Sequence, residues 1–199
     1  MEDYPAFRKK TIFLEDQIIK IALKAGQISF DGKIITLKEE EQIILSIENE
    51  SKILKFLKEN TDIPVPEILY HNREVMVYKR IKGNVLEDVW SELNKQEKHK
   101  LKQQLGKYIR KMSTIDINLH KVENHPQQDI LERHFDKEEL IFSHIDLHQS
   151  NIIVDDKMNI LGVIDWEYAN RYPKNNIINI HNKTHHPDDW YDIFDFAGF

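Results

Sequence analysis

The chain of 199 residues contains no cysteine, which excludes disulfide staples, thiolate metal sites and a cysteine nucleophile. Glycine and proline are scarce, six of each, too few for a fibrous or disordered protein. Positive charge is not in excess. The 28 basic residues face 34 acidic ones, a net of -6, which argues against broad capture of nucleic acid because phosphate backbones call for a basic face. No apolar run approaches the roughly 18 residues of a membrane helix. Met1 to Lys10 carries acids and no apolar stretch, so neither a membrane partner nor a secretion signal is expected. What is present suffices for a core: 40% of residues are hydrophobic and 10% aromatic. A compact cytoplasmic protein of one domain or two small lobes follows.

The chain reads as strands, then helices, then a short hairpin, an α+β pattern. Thr11 to Leu14 and Gln17 to Leu23 are Ile-rich strands. Gln27 to Phe30 and Lys33 to Leu37 flank Asp31-Gly32, a two-residue hairpin signal. Glu39 to Asn60 has helical period, with Ile43, Ile47, Leu54 and Leu57 on one stripe. The run Thr61-Asp62-Ile63-Pro64-Val65-Pro66 ends that helix, since each proline pushes its predecessor toward extended backbone. Glu67 to His71 and Glu74 to Ile81 form a second hairpin turning at Asn72-Arg73. Val85 to Leu93 and Lys95 to Met112 are helices, and Thr114 to Asp129, with His125-Pro126, is a loop. Ile152 to Val154 and Ile160 to Ile164 are strands joined by the turn Asp155 to Asn159. Residues 1–78 are expected to form one lobe, 79–83 a narrow hinge and 84–199 a second lobe.

Chemistry concentrates in Ser143-His144-Ile145-Asp146-Leu147-His148-Gln149-Ser150-Asn151 and in Ile164-Asp165-Trp166-Glu167. The intervening strand pair would bring Asn151 beside Asp165. An amide oxygen and a carboxylate so placed suit a hard cation such as Mg²⁺. Asp146, on the same loop, could accept a proton from a nucleophilic hydroxyl, and together these are the parts of a phosphotransfer site. The bland alternative is a polar loop of turn formers. In the first third, Glu50 lies on an apolar helix stripe, and a core-facing carboxylate needs a cation. Lys20, within a strand, is the expected partner.

These segments resemble the aminoglycoside phosphotransferase and choline kinase superfamily, which has a bilobal protein-kinase-like fold, and most of all its uncharacterised small-molecule kinases. Ile18-Ile19-Lys20, Glu50 through Pro66, Val75 to Gly83, His144 to Asn151 and Ile164 to Glu167 carry the resemblance, in the expected order. The Ile-Pro-Val-Pro run and the Asp165-Trp166 pair separate the chain from protein kinases, the less favoured enzyme reading. The resemblance implies a nucleotide-binding first lobe and a kinase acting on a small molecule, with ATP or GTP as phosphate donor. By it Asp146 is the catalytic base, Asn151 and Asp165 hold Mg²⁺, Lys20 contacts phosphates and Glu50 positions it. The backbone of Tyr78, Lys79 and Arg80 meets the purine, and His144 braces the loop.

The chain departs from the family in several places. Ile145 stands where the family has Gly, and Lys79 where it commonly has Glu. No Gly-rich loop precedes Lys20, and the segments between Met112 and His144 and after Trp166 are short. A pseudokinase-like binding or scaffold module is the alternative these departures favour.

Other clusters read more plainly. His181, His185 and His186 near Asp188 and Asp189 read as an exposed polar loop rather than a metal site, and Lys95 to Lys102 as the wet face of a helix. Asp188 to Phe196 reads as a helix packed by Trp190, Ile193, Phe194 and Ala197. In the functional alternative, Asp192 and Trp190 would face a cationic acceptor through charge pairing and cation–π contact.

Overall fold

In a computed structural model the chain forms two compact units, residues 1–81 with 119–123, and 82–118 with 124–199. The structure describes residues 2–6, 9–29, 32–120, 139–183 and 188–199.

The first unit is a five-stranded antiparallel sheet with one long helix. Its strands are β1 (Glu2–Ala6), β2 (Lys9–Phe13), β3 (Gln17–Ala22), β4 (Ile68–His71) and β5 (Val75–Lys79), in the order β1-β2-β3-β5-β4. Helix α1 spans Leu37–Asn60. It starts where Thr36 accepts from the Glu39 N–H while the Glu39 carboxylate accepts from the Thr36 N–H, a reciprocal cap. It ends where the Thr61 N–H returns to the Leu57 carbonyl, ahead of Pro64 and Pro66. Ile43, Ile47, Leu54 and Leu57 are all buried, as their spacing predicts.

That cap also trims the expected first hairpin. Leu37 belongs to α1, while residues 26–29 pair with 33–35 through three backbone hydrogen bonds of 2.8 to 2.9 Å and the Ile28–Ile34 bridge. Phe30 and Asp31 of the expected turn lie outside the described residues. Asn49, fully within the core, exchanges two hydrogen bonds with the backbone of His120 (2.7 and 3.0 Å), tying residue 120 to α1.

The second unit begins with β6 (Asn84–Val85), α2 (Leu86–Val89) and a 3-10 turn, Trp90–Glu92. A single helix over Val85 to Leu93 is therefore corrected to a strand, one helical turn and a tighter turn. Helix α3 (Lys95–Ser113) is capped by Asn94 and Glu97. Thr114 to His120 has no regular structure, and the rest of the expected loop, with His125 and Pro126, lies outside the described residues. Two small sheets follow. Strand β7 (Leu140–Ser143) pairs with β10 (Asn170–Pro173), and β6 pairs with β8 (Ile152–Val154), which pairs with β9 (Ile160–Val163).

The second unit closes with α4 (Lys174–Lys183) and a 3-10 segment, Asp188–Ala197, broken at Asp189. That segment lies along α3. Trp190, Ile193, Phe194 and Ala197 are buried, and Trp190 meets Trp90 edge to face at 5.0 Å. Gly106 makes the approach possible: a Cβ there would sit 2.5 Å from the Phe196 carbonyl oxygen. Among the described residues no helix is long and apolar enough to cross a membrane.

Candidate functional site

The loop from β7 to β8 is built by backbone hydrogen bonds to its own side chains. The Ile145 N–H donates to Ser143 Oγ (3.2 Å) and the Asp146 N–H to His144 Nδ1 (3.3 Å). His144 is fully buried, edge-on to Trp166, and its Nε2 lies 2.8 Å from the Ile164 carbonyl. Those two partners fix the neutral Nε2–H tautomer. His144 therefore ties the base loop to the chain just before Asp165, in keeping with a bracing role. Ile145 has φ 66 and is buried. A β-branched residue in the left-handed region is strained, and such strain gathers at functional loops.

Asp146 is held at both oxygens. Asn151 Nδ2 donates to its Oδ2 at 3.0 Å and to its carbonyl at 2.9 Å, while His148 Nε2 lies 3.1 Å from Oδ1. Burial pushes the Asp146 carboxyl up, but the His148 hydrogen bond and the electrostatic pull of the His144 and His148 imidazoles outweigh it, and the net value lies below the ordinary carboxylate range. The nearby Asp165 opposes that lowering, which marks the two carboxylates as electrostatic neighbours.

The hairpin brings Asn151 to Asp165 as its length predicts: the Ile164 N–H donates to the Asn151 carbonyl at 2.9 Å. Asp165 itself has φ 64, a conformation that aspartate tolerates better than most residues. Because Asn151 spends its amide nitrogen on Asp146, its Oδ1 is the atom left to face a cation. One amide oxygen and one carboxylate fit Mg²⁺, which is commonly held by one or two protein oxygens plus water and phosphate.

In the first unit Lys20 and Glu50 meet as their pattern predicts. Lys20 Nζ donates to both carboxylate oxygens at 2.8 and 3.0 Å, with both side chains almost wholly buried. Tyr78 and Lys79 end β5, and Arg80 follows it. Tyr78 is buried, while the N–H groups of Lys79 and Arg80 already donate to the carbonyls of Glu67 (2.8 Å) and Asp16 (2.9 Å). Purine recognition here cannot use those two donors.

The acceptor residues read from the C-terminal stretch are corrected. Trp190 is fully buried and donates to the Leu147 carbonyl at 2.9 Å. Asp192 pairs with Lys102 at 2.6 Å, and Asp189 with Lys98 at 2.8 Å. Burial pushes the Asp189 carboxyl up, and the hydrogen bonds from Lys98 and Trp90 more than reverse it. The supposed wet face of α3 is thus partly a seat for this segment: Lys102 is buried and Lys98 lies 4.7 Å from the centre of the Trp90 ring. His181 is likewise no loop residue. It is buried in α4 against Phe194 and near the Trp190 carbonyl. His185 and His186 lie outside the described residues. Among the described residues no group of three His, Asp or Glu could enclose a metal.

His148 is the site residue that the sequence pattern leaves unremarked. The available signal is its spacing: on extended backbone, residues two apart project to one side.

Residues 118–173 match the model of the phosphotransferase enzyme family. The chain also superimposes on solved aminoglycoside phosphotransferases. The gentamicin complex of APH(2")-IIa matches with TM-score 0.67 and 16% identity, over 96% of this chain and 73% of that one. The fold is that of the aminoglycoside phosphotransferases. A GDP and kanamycin complex of a second APH(2") enzyme gives TM-score 0.68 at 14% identity, over 99% of this chain and 76% of that one. Monomeric WbdD gives 0.57 at 18%, over 93% and 39%. No curated protein sequence matches. The expected α+β fold, resembling the aminoglycoside phosphotransferases, is borne out.

Proposed function

We propose that this chain is a Mg²⁺-dependent phosphotransferase that moves the γ-phosphate of a purine nucleoside triphosphate to a hydroxyl of a small molecule. The observation that carries the reading is the Asp146–Asn151–Asp165 arrangement, in which one amide serves the base with its nitrogen and leaves its oxygen for a cation. Asp146 accepts the hydroxyl proton as the new O–P bond forms, and the bond from the γ-phosphorus to the bridging oxygen breaks to release the diphosphate. Lys20, held by Glu50, supplies a fixed positive charge for the phosphates. When bound, Mg²⁺ neutralises developing phosphate charge. Asn151 and Asp165 are the residues that would hold it. The neighbours' nucleotide and aminoglycoside complexes support nucleotide as donor and a polar alcohol as acceptor. The cytoplasm supplies both Mg²⁺ and nucleotide. With Trp190 buried and Asp192 paired, a cationic acceptor has no support from those two residues.

The test is Mg²⁺-dependent ADP or GDP release with aminoglycosides, amino alcohols, sugars and nucleosides as acceptors. Stimulation by one class is expected, and Asp165→Ala should weaken the Mg²⁺ dependence of nucleotide binding. A blank panel with measurable nucleotide binding would instead make the chain a binding module without turnover.

A further inference from the structure

We infer that His148 is the positioning residue of the base: its ring holds Asp146 Oδ1 so that the carboxylate presents one fixed edge to the incoming hydroxyl. The inference rests on the phosphotransferase reading. Three observations carry it.

His148 stands at the start of the 3-10 turn Gln149–Asn151, where a side chain ordinarily caps the free N–H groups, yet its ring caps none of them. The turn is closed by backbone instead, with the Asn151 N–H donating to the His148 carbonyl at 3.0 Å. The turn therefore does not depend on the ring. The ring goes back two residues, to 3.1 Å from Asp146 Oδ1.

The second observation is the division of the carboxylate. Asn151 takes Oδ2 and His148 takes Oδ1, so the plane of the group is set by two donors on opposite sides. Asn151 alone would leave the carboxylate free to rotate about its hydrogen bond. A carboxylate has about four lone-pair positions, and one donor on each oxygen leaves a position on either oxygen open to the reacting hydroxyl.

The third is that the contact needs no charge on the ring: two fixed N–H donors are enough to orient a carboxylate. An Nε2–H suffices for this, so an amide donor of similar reach can replace the ring.

The experiment compares wild type, His148→Ala and His148→Gln by crystal structure and by steady-state kinetics of MgATP and MgGTP, with kanamycin as acceptor probe and with water. In His148→Ala the Asp146 carboxylate should leave its observed orientation or occupy more than one. Its kcat should fall on the order of 10- to 100-fold, the scale of a small misplacement of a reacting group, with nucleotide KM unchanged. His148→Gln should restore both carboxylate orientation and most of kcat. An unmoved Asp146 in His148→Ala, or a nucleotide KM that rises in step with the loss of kcat, overturns the inference. A wild type without Mg²⁺-dependent phosphate transfer to kanamycin or to any other acceptor of the panel would overturn the proposed function instead, and the crystal structures alone would still decide the positioning.

Discussion

The β7–β8 loop and the C-terminal segment 188–197 both set acids beside aromatic or imidazole rings, one acid in the first and four in the second, yet the structure uses them oppositely. In the loop, Asp146 is gripped by Asn151 and His148 and keeps a side chain 40% exposed. In the C-terminal segment, Asp189 and Asp192 are answered by Lys98 and Lys102, and the rings between them are packed away. An amide and an imidazole orient the Asp146 carboxylate, whereas ammonium partners use the charge of Asp189 and Asp192 for docking. The type of partner, more than the presence of acid and ring, separates a site from a seam.

The sharpest way to break this contrast is to remove the charge from one carboxylate in each region. Asp146→Asn should cut turnover by about 10²- to 10⁴-fold, the range for loss of a positioned base, with nucleotide affinity unchanged. Asp192→Asn should leave turnover at the wild-type level and cost about 1–3 kcal/mol of stability in urea unfolding, since it leaves the buried Lys102 without its carboxylate. Equal kinetic effects would erase the distinction.

Backbone strain gives a smaller second test. At position 145, with φ 66, the glycine variant should be more stable than the alanine variant by about 1 kcal/mol, because only glycine escapes the left-handed penalty. At Ile193, also buried but in 3-10 helical backbone, the order should reverse. Urea midpoints of the four variants decide it.

The smallest effect concerns acid. Burial pushes His181 from 6.5 down to about 4 against the pull of the Trp190 carbonyl. Between those values the unfolded chain binds the proton and the folded chain does not, so stability falls as pH drops from 6.5 toward 4 and is flat above. His148 and Asp192 also face this ring, the first lowering and the second raising its value. Asp146, whose carboxyl is held low, adds its own loss only near and below its ordinary value of 3.8. His181→Gln should flatten the slope of Tm between pH 6.5 and 4, and an unchanged slope would put the proton elsewhere.

Two site contacts were legible because local pattern dictated them. A four-residue strand, a short turn and a three-residue strand leave Asn151 and Asp165 few places to be except together. A carboxylate at position 50, among Ile47 and Leu54, needs a cation, and Lys20 is the charged residue of the strand expected from Gln17 to Leu23. The pairing of β7 with β10 was not legible, because Leu140 and Pro173 flank the whole site loop and hairpin, and nothing in either strand names the other. Nor was the double use of α3. Lys98 and Lys102 obey the period of a solvated face, and only the arrival of residues 188–197 makes them a seat. His148 escaped notice for a related reason: its role depends on which way a two-residue step points, which the loop's backbone decides.

Gly106 illustrates how far this seam reaches. With the Phe196 carbonyl oxygen only 2.5 Å from where a Cβ would stand, any side chain at 106 becomes a wedge, and the relaxation available is to lift the segment off α3. In a saturation mutagenesis survey position 106 would therefore score as intolerant as Asp146. The two would part only when soluble yield is read alongside growth: the Asp146 variants would accumulate as folded, inactive protein, and the Gly106 variants would not accumulate at all.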